Sequence, residues 1–473
     1  KDLPVSIIEA ANEIKSFIQL SKITILEYNE ETIAIPVKLK IDLPSKGTYN
    51  NLDIRSLEPV LICIKITEYP TSAPSIRSDR KDFPSSFIPH LYAVKKNTPP
   101  ALCLVRGELN EWYANRRISD LIITARQWFS KAASGLLSTD ADEFEPVRLE
   151  GYSGYSIYIY SDIVHIVESD RRHSEEYPFR YLLFITKQSS SLYPTFKHLD
   201  EDINIINLTS TLKNLITLNL ETLKSNNLKD DSPLALLGLL VWSDKIESNN
   251  YYSTFLPRNY RELEDFAATY NIPINKSISQ YIASDAYKYN PTPYIPVIIA
   301  VKRPRKIVGF ASDIEFFNFV IHVNESELVN NTISPEAEVL FQSHREPVNI
   351  ELAQKLSLSI NQDNTIFLGA GALGSKIIFH FARSGNFNLK IIDCDKFSPH
   401  NIVRHDLFME SSGENKAKAI FEKIHNFNPK INSTSYETNN IFNQDLTTLN
   451  GYNWLIDTTA SLNVQNWLVT NKS

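Results

Sequence analysis

Thr365-Ile-Phe-Leu-Gly369-Ala-Gly371-Ala-Leu-Gly374 is the stretch from which the rest of this chain is read. Ile366 to Leu368 is a short apolar run, the mark of a buried strand. Gly369, Gly371 and Gly374 keep the G-x-G-x-x-G spacing, and Lys376 to Ala382 reads as the helix that follows. Glycine is needed there because a Cβ would block the tight turn and the approach of backbone to a phosphate. The N–H groups that open the helix then face an anion. A second strand, Leu389 to Ile392, ends in Asp393, a carboxylate placed at the sheet edge where it can hold ribose hydroxyls.

The residues after Asp393 separate the nucleotide classes. They run Asp393-Cys-Asp-Lys-Phe-Ser-Pro-His-Asn401-Ile-Val-Arg404-His405, and later Gly413-Glu-Asn-Lys416. An NAD-dependent oxidoreductase has no use for Asn401, Arg404 and Lys416 in that order. A triphosphate does: Arg and Lys neutralise phosphates and a departing pyrophosphate, and Asn hydrogen-bonds an oxygen. Trp454-Leu-Ile-Asp457 then reads as a strand ending where magnesium would sit.

On these residues the segment 365–460 resembles the adenylating domain shared by ubiquitin-activating enzymes and the bacterial ThiF and MoeB proteins. The resemblance implies that Asp393 binds ribose, that Asn401 and Arg404 meet the triphosphate of ATP, and that Lys416 contacts phosphate during adenylation. One departure stands out. The family's second acidic residue, the one tied to Mg2+, corresponds to Ala460, which leaves Asp457 as the candidate metal ligand.

The chain has 473 residues, 42% hydrophobic and 22% charged, which fits two or three globular domains rather than wholesale disorder. A net charge of −7 argues against a nucleic-acid partner. Three cysteines give neither a disulfide framework nor a CxxC metal site, and a reducing, cytoplasmic setting fits them. The longest apolar run, Leu234 to Trp242, is too short to span a membrane. Lys1 opens the chain and Met409 is its one methionine, so a longer protein is expected around it. The adenylating domain is expected to be cut short at Ser473, with any activating cysteine beyond it.

At the other end, residues 5–20 set Ile8, Ala11, Ile14, Phe17 and Ile18 on one helical face. Strands are expected at Ile23–Tyr28, Thr32–Ile41 and Val60–Glu68. Tyr69-Pro70 begins a turn, a loop rich in Pro and Ser leads to Cys103-Leu104 and Trp112, and a helix carries Ile118, Leu121, Ile122, Ala125, Trp128, Phe129, Ala132 and Leu136. This order resembles the ubiquitin-conjugating enzyme core. The resemblance implies that Cys103 is the thioester cysteine, and the loop before it, rich in Pro and polar residues, is expected to leave the sulfur reachable. The family's His-Pro-Asn run is absent, so Pro89-His90 and Asn97 leave the oxyanion donor open. Cys63 reads as core, and Cys394 has no catalytic setting.

Between these ends the sequence says little. Thr139 to Pro146 reads as an acidic linker. Strands are expected at Ser156–Glu168, Tyr181–Thr186, Val297–Val301 and Glu315–Val323, and a helix at Leu212–Leu223. Leu234–Trp242 fits a buried strand or helix, and Lys302-Arg-Pro-Arg-Lys306 a solvated edge.

The expected fold is therefore mixed, α/β and α+β, in three parts. Residues 1–138 form a ubiquitin-conjugating-like α+β domain, 139–345 a central mixed domain, and 346–473 a Rossmann-like ThiF adenylation domain. Such a fusion resembles a bacterial family found in anti-phage CBASS operons. The resemblance implies ATP and Mg2+ as cofactors. It implies as substrate a ubiquitin-like modifier or the C-terminus of a cGAS-like nucleotidyltransferase, a target amine as acceptor, and a homodimer. A non-catalytic nucleotide-binding assembly protein and an NAD-dependent oxidoreductase are the other readings.

Overall fold

The computed structural model describes residues 3–138, 143–149, 151–170, 179–187, 195–199, 233–243, 248–253, 255–284, 287, 290, 292–324, 328–329, 332–358, 363–427, 433–443 and 450–470. Contacts divide the chain into two compact units, Lys1–Glu346 and Pro347–Ser473.

In the first unit the opening helix, Val5–Ile18, buries Ile7, Ala10, Ala11 and Ile14. Ile8, expected on that face, is 47% exposed. Ala11 and Ile14 belong to both stripes, so spacing alone did not choose between them. Strands Leu26–Asn29, Thr32–Lys40, Leu57–Lys65 and Ser75–Ser78 follow as an antiparallel meander. The sheet continues through Ala101–Leu102 and Leu91–Lys95 to Phe255–Leu256. Helix Ile118–Ser134 buries Ile118, Leu121, Ile122, Ala125, Trp128, Phe129 and Ala132, as its period requires. Leu136 lies past the helix end and is 61% exposed; Leu137 takes its place in the core. The Ser119 N–H donates to Glu13 Oε1 at 3.1 Å, tying the two helices together.

The rest of this unit is built on strands that hydrogen bonding closes into a ring: Thr195–Leu199, Tyr155–Ile157, Val339–Arg345, Ile314–His322, Tyr294–Lys302, Pro233–Trp242 and Phe179–Lys187. Pro233–Trp242 settles the ambiguity of its apolar run. It is a strand covered on both faces, with Leu237, Leu239 and Val241 in one core and Leu236, Leu240 and Trp242 in another, so no alternation was visible. Ser156–Glu168 is corrected: only Tyr155–Ile157 is strand, and Tyr160–Asp170 is a helix. Ile and Val favour strands, but Ile163, Val164 and Val167 share one helical face and are buried on it. The expected helix at Leu212–Leu223 lies outside the described residues.

Two polar expectations are also corrected. The run Lys302–Lys306 is no solvated edge at Arg303, which is 0% exposed. Its Nε donates to Glu315 Oε2 at 2.6 Å, and its Nη1 donates to the carbonyls of Asn249 and Tyr251. A buried guanidinium persists only when paired and hydrogen-bonded in this way. In the supposed acidic linker, Phe144 stacks on Tyr252 at 5.2 Å, and Glu145 is buried.

The second unit is a parallel sheet in the order Ser435–Glu437, Leu389–Ile392, Thr365–Leu368, Trp454–Asp457. Helices Ala372–Arg383 and Lys416–Phe427 contribute Ile378, Phe379, Ala382, Ala417, Ile420 and Ile424 to its core. The chain steps outward from Thr365–Leu368 to two strands on one side, then returns to its other side. That reversal opens a crevice beyond the carboxyl end of the central strand, where open α/β sheets bind ligands.

Candidate functional site

Register fixes what surrounds the crevice. Leu368 pairs with Ile392 on one side and with Asp457 on the other. Gly369 therefore leaves its strand between Asp393 and Asp457, the two carboxylates singled out in the sequence. The three glycines serve different ends. Gly369 has φ +91°, and a Cβ on it would lie 3.0 Å from the Thr459 nitrogen. On Gly374 a Cβ would lie 2.2 Å from the Gly369 oxygen and 2.5 Å from Thr458 Oγ1. These two are demanded by the loop itself. A Cβ on Gly371, which starts helix Ala372–Arg383, would meet no protein atom within 4 Å. The space beside it is open for a ligand.

Asp393 holds the loop as well as facing the crevice. Its Oδ2 accepts from the Ala370 N–H at 2.6 Å and its Oδ1 from the Asp395 N–H at 2.7 Å. Asn401 lies in the 3-10 turn Pro399–Val403, where its Oδ1 accepts from the Ser398 N–H at 2.9 Å. That fixes the amide so that Nδ2 remains as a donor. Arg404 follows the turn, its side chain exposed and without a hydrogen bond or ion pair to any described residue. Two nearby carboxylates are already paired elsewhere: Asp406 Oδ1 meets Lys376 Nζ, and Asp395 Oδ2 meets Lys416 Nζ, each at 3.0 Å. Lys416 is 9% exposed and is the first residue of its helix. Asp457 Oδ1 accepts from both the N–H and the hydroxyl of Thr459, at 2.9 and 2.7 Å. Ala460, in the place of the family's acid, has φ +55°. Among the described residues no group of three His, Cys, Asp or Glu is placed to hold a metal.

Two residues here were missed. Asn415 Nδ2 donates to the carbonyls of Asp393 and Asp395, locking the crossover to the strand end. His405, 7% exposed, places Nε2 2.6 Å from the Ala370 carbonyl. Neither left a spacing signal, since their partners are backbone atoms.

The N-terminal candidate differs. Cys103 follows strand Ala101–Leu102, and its N–H donates to the His90 carbonyl at 2.9 Å. The expectation of a reachable sulfur is corrected. Cys103 is 5% exposed, and its Sγ lies 3.6 Å from the Val105 carbonyl. His90, at φ +59°, is buried with Nε2 3.6 Å from Glu145 Oε1. Arg106 and Arg148 also reach Glu145, at 3.2 and 3.5 Å. Burial pushes the His90 imidazole below its usual range, and Glu145 opposes that shift. Asn97, at φ +63°, is a hairpin turn residue, where the amide side chain tolerates a left-handed backbone. Cys63 is buried in strand Leu57–Lys65, and Cys394 is exposed.

Comparison with known proteins names the two halves. Residues 20–163 match the family described as prokaryotic E2 family A, and residues 349–470 match the ThiF family. The chain is thus a fusion of a ubiquitin-conjugating-like N-terminal segment and a ThiF C-terminal segment. A curated relative is the "ATP-dependent ubiquitin transferase-like protein Cap2" of Enterobacter hormaechei subsp. hoffmannii (strain UCI 50). It is 35% identical over 77 residues, 16% of this chain and 13% of that protein. Similar solved structures include E. coli TcdA, a tRNA N6-threonylcarbamoyladenosine dehydratase, in complex with ATP. It is 23% identical with TM-score 0.22, over 26% of this chain and 51% of that one. E. coli MccB with ATP is 26% identical with TM-score 0.21, over 25% and 35%. Each of these proteins is matched over less than two thirds of its own length. Among the described residues no helix is long and apolar enough to cross a membrane.

Proposed function

We propose that this chain catalyses ATP-dependent conjugation of a protein C-terminus to an amine. The observation that carries this reading is the crevice around Gly369, flanked by Asp393 and Asp457 and followed by Asn401, Arg404 and Lys416, in one chain with an E2-type cysteine segment.

First, a carboxylate oxygen of the modifier's C-terminus bonds to the α-phosphorus of ATP, and pyrophosphate leaves with the bridging oxygen. The glycine loop and Arg404 hold the phosphates. Lys416 turns from Asp395 to offset their charge, and Asp393 anchors ribose. Second, a thiolate attacks the acyl-adenylate carbonyl and AMP leaves, giving a thioester. Third, the acyl group passes to Cys103 Sγ and then to a target amine, whose nitrogen displaces the sulfur and loses a proton. The modifier is a ubiquitin-like protein or the tail of a cGAS-like nucleotidyltransferase, in a CBASS-type anti-phage setting, and the working form is a cytoplasmic homodimer. The printed name of the curated relative supports the ATP-dependent transferase class.

Asp457 suits a single-carboxylate Mg2+ site, because Thr459 occupies only Oδ1 and Mg2+ takes its other ligands from phosphates and water. Bound there, Mg2+ would neutralise phosphate charge. The domain division 1–138, 139–345 and 346–473 belongs to the same proposal.

The test is calorimetric binding of ATP and of NAD with magnesium present. ATP is expected to bind tighter; tighter NAD binding points to an oxidoreductase and overturns the proposal. The buried sulfur of Cys103 favours one other reading, a non-catalytic assembly protein that keeps its nucleotide. Turnover of ATP to AMP and pyrophosphate with a modifier separates the two.

A further inference from the structure

His405 is the group in the second unit whose surroundings the adenylation scheme does not use. Its ring lies between the glycine loop and the crossover that carries Arg404. The Leu407 N–H donates to its Nδ1 at 3.1 Å, so Nδ1 carries no proton. A neutral ring then bears its proton on Nε2, which donates to the Ala370 carbonyl at 2.6 Å. Ala370 is consequently held from two directions, its N–H by Asp393 and its carbonyl by His405.

The neighbours of His405 make the crossover rigid at this point. The Asp406 N–H donates to Ser375 Oγ at 3.3 Å, and its carboxylate pairs with Lys376. The His405 ring meets Phe397 edge-on at 5.1 Å. Upstream, the N–H groups of Arg404 and His405 both donate to the Asn401 carbonyl. Arg404 therefore projects from a backbone fixed on both flanks while its own side chain stays exposed without a described partner. With the backbone fixed, only the side chain is left to order when a ligand arrives.

The geometry points to His405 as a positioning residue for the nucleotide: its neutral Nε2–H tautomer sets the glycine loop and Arg404 in a single register. This rests on the ATP reading above and adds to it a residue that touches no reacting atom. The charged groups around the ring are Lys416, Asp393 and Asp406. Burial and Lys416 disfavour imidazolium, while Asp393, Asp406 and the Ala370 carbonyl favour it, and the net effect keeps the ring neutral. Protonation of Nδ1 would break the bond from Leu407 and release the crossover.

The experiment is ATP binding by calorimetry for the wild type, His405→Phe and His405→Gln, from about pH 8 to about pH 5.5, across the imidazole range. His405→Phe keeps a flat ring and removes the donor; roughly tenfold weaker ATP binding is expected, the size of one buried hydrogen bond. His405→Gln restores an N–H donor without an ionisable group. It is expected to recover most of the affinity and to lose the weakening that the wild type shows on acidification. Wild-type affinity in His405→Phe overturns the inference. So does an acid response in His405→Gln equal to the wild type's, which needs only that this milder variant folds. Absence of ATP binding by the wild type itself instead refutes the nucleotide reading on which the inference rests.

Discussion

Gly369 and Cys103 both stand where a strand gives out, and each has a buried histidine close by, His405 at the Ala370 carbonyl in one case and His90, whose carbonyl takes the Cys103 N–H, in the other. Beyond that they part. Around Gly369 the backbone is set: the loop leaves open space at Gly371, a carboxylate stands at each neighbouring strand end, and the Arg404 side chain is exposed. Around Cys103 the reactive atom is shut in. A phosphate site is made largely of backbone, and backbone geometry is set once the sheet forms. A cysteine site rests on one side chain, and on the proposed reading the Cys103 segment would have to open to take an acyl group. If the proposed function holds, the first site is preorganised and the second needs a local change before it can work.

The largest effect expected from this contrast is at Cys103. Cys103→Ala is expected to abolish target conjugation while leaving ATP–pyrophosphate exchange at wild-type rate; a conjugate still formed by that variant makes the N-terminal segment a docking module. Its closed state gives a second measurement. In native protein, alkylation followed by mass spectrometry is expected to label exposed Cys394 quickly and Cys103 slowly, with Cys103 catching up in denaturant. Equal native rates would remove the closed side of the comparison.

Next in size is Gly374→Ala, whose Cβ meets two backbone atoms and a hydroxyl. A loss of about 2–4 kcal/mol or more in stability is expected from overpacking against backbone. Gly371→Ala is the control: an unchanged melting temperature but weaker ATP binding, since only a ligand would feel that Cβ. Matching melting losses in the two variants would contradict the open space at Gly371. Arg404→Ala comes third, costing about 2–4 kcal/mol in transition-state stabilisation with the fold intact. Pyrophosphate exchange at full rate in that variant would take Arg404 out of the site.

Acidity touches both regions by a smaller amount. The folded-state pKa of His90 and of His405 lies below the usual value of about 6.5. The unfolded chain therefore binds more protons as the pH falls through that window. The stability these rings contribute is complete above about pH 6.5 and is lost as the pH drops toward their lowered values. Thermal melts at a series of pH values check this, and His405→Gln is expected to flatten part of the slope. The smallest effect is at Ala460, a left-handed residue that carries a Cβ. Ala460→Gly is expected to stabilise by at most about 1 kcal/mol, and a lower melting temperature would show that the side chain packs usefully.

Much of the second unit was legible because its site is written in spacing. The glycines, Asp393 and Asp457 sit at strand ends, and strand ends can be read from apolar runs. His405 and Asn415 were not legible, since they bond backbone atoms that only the fold brings near. In the first unit, periodicity gave the helix Ile118–Ser134, and the order of features singled out Cys103 as the candidate. It gave neither the burial of the sulfur nor Glu145, which comes from a stretch that read as linker. Arg303 was misread for a similar reason: a basic run is usually solvated, and its partner Glu315 lies on the facing strand.

The pairing of Phe255–Leu256 with Leu91–Lys95 has a consequence for how the chain comes off the ribosome. His90 and the Cys103 hairpin belong to the N-terminal sheet, yet the last strand of that sheet is supplied from far along the chain. Tyr92 and Ala93 find partners in Arg148 and Leu149, but until residue 256 has been made Val94 and Lys95 lack theirs and leave a short unpaired edge, a template for unwanted partners. The corner that carries the cysteine is thus completed late in synthesis, after the helices around it have had time to form.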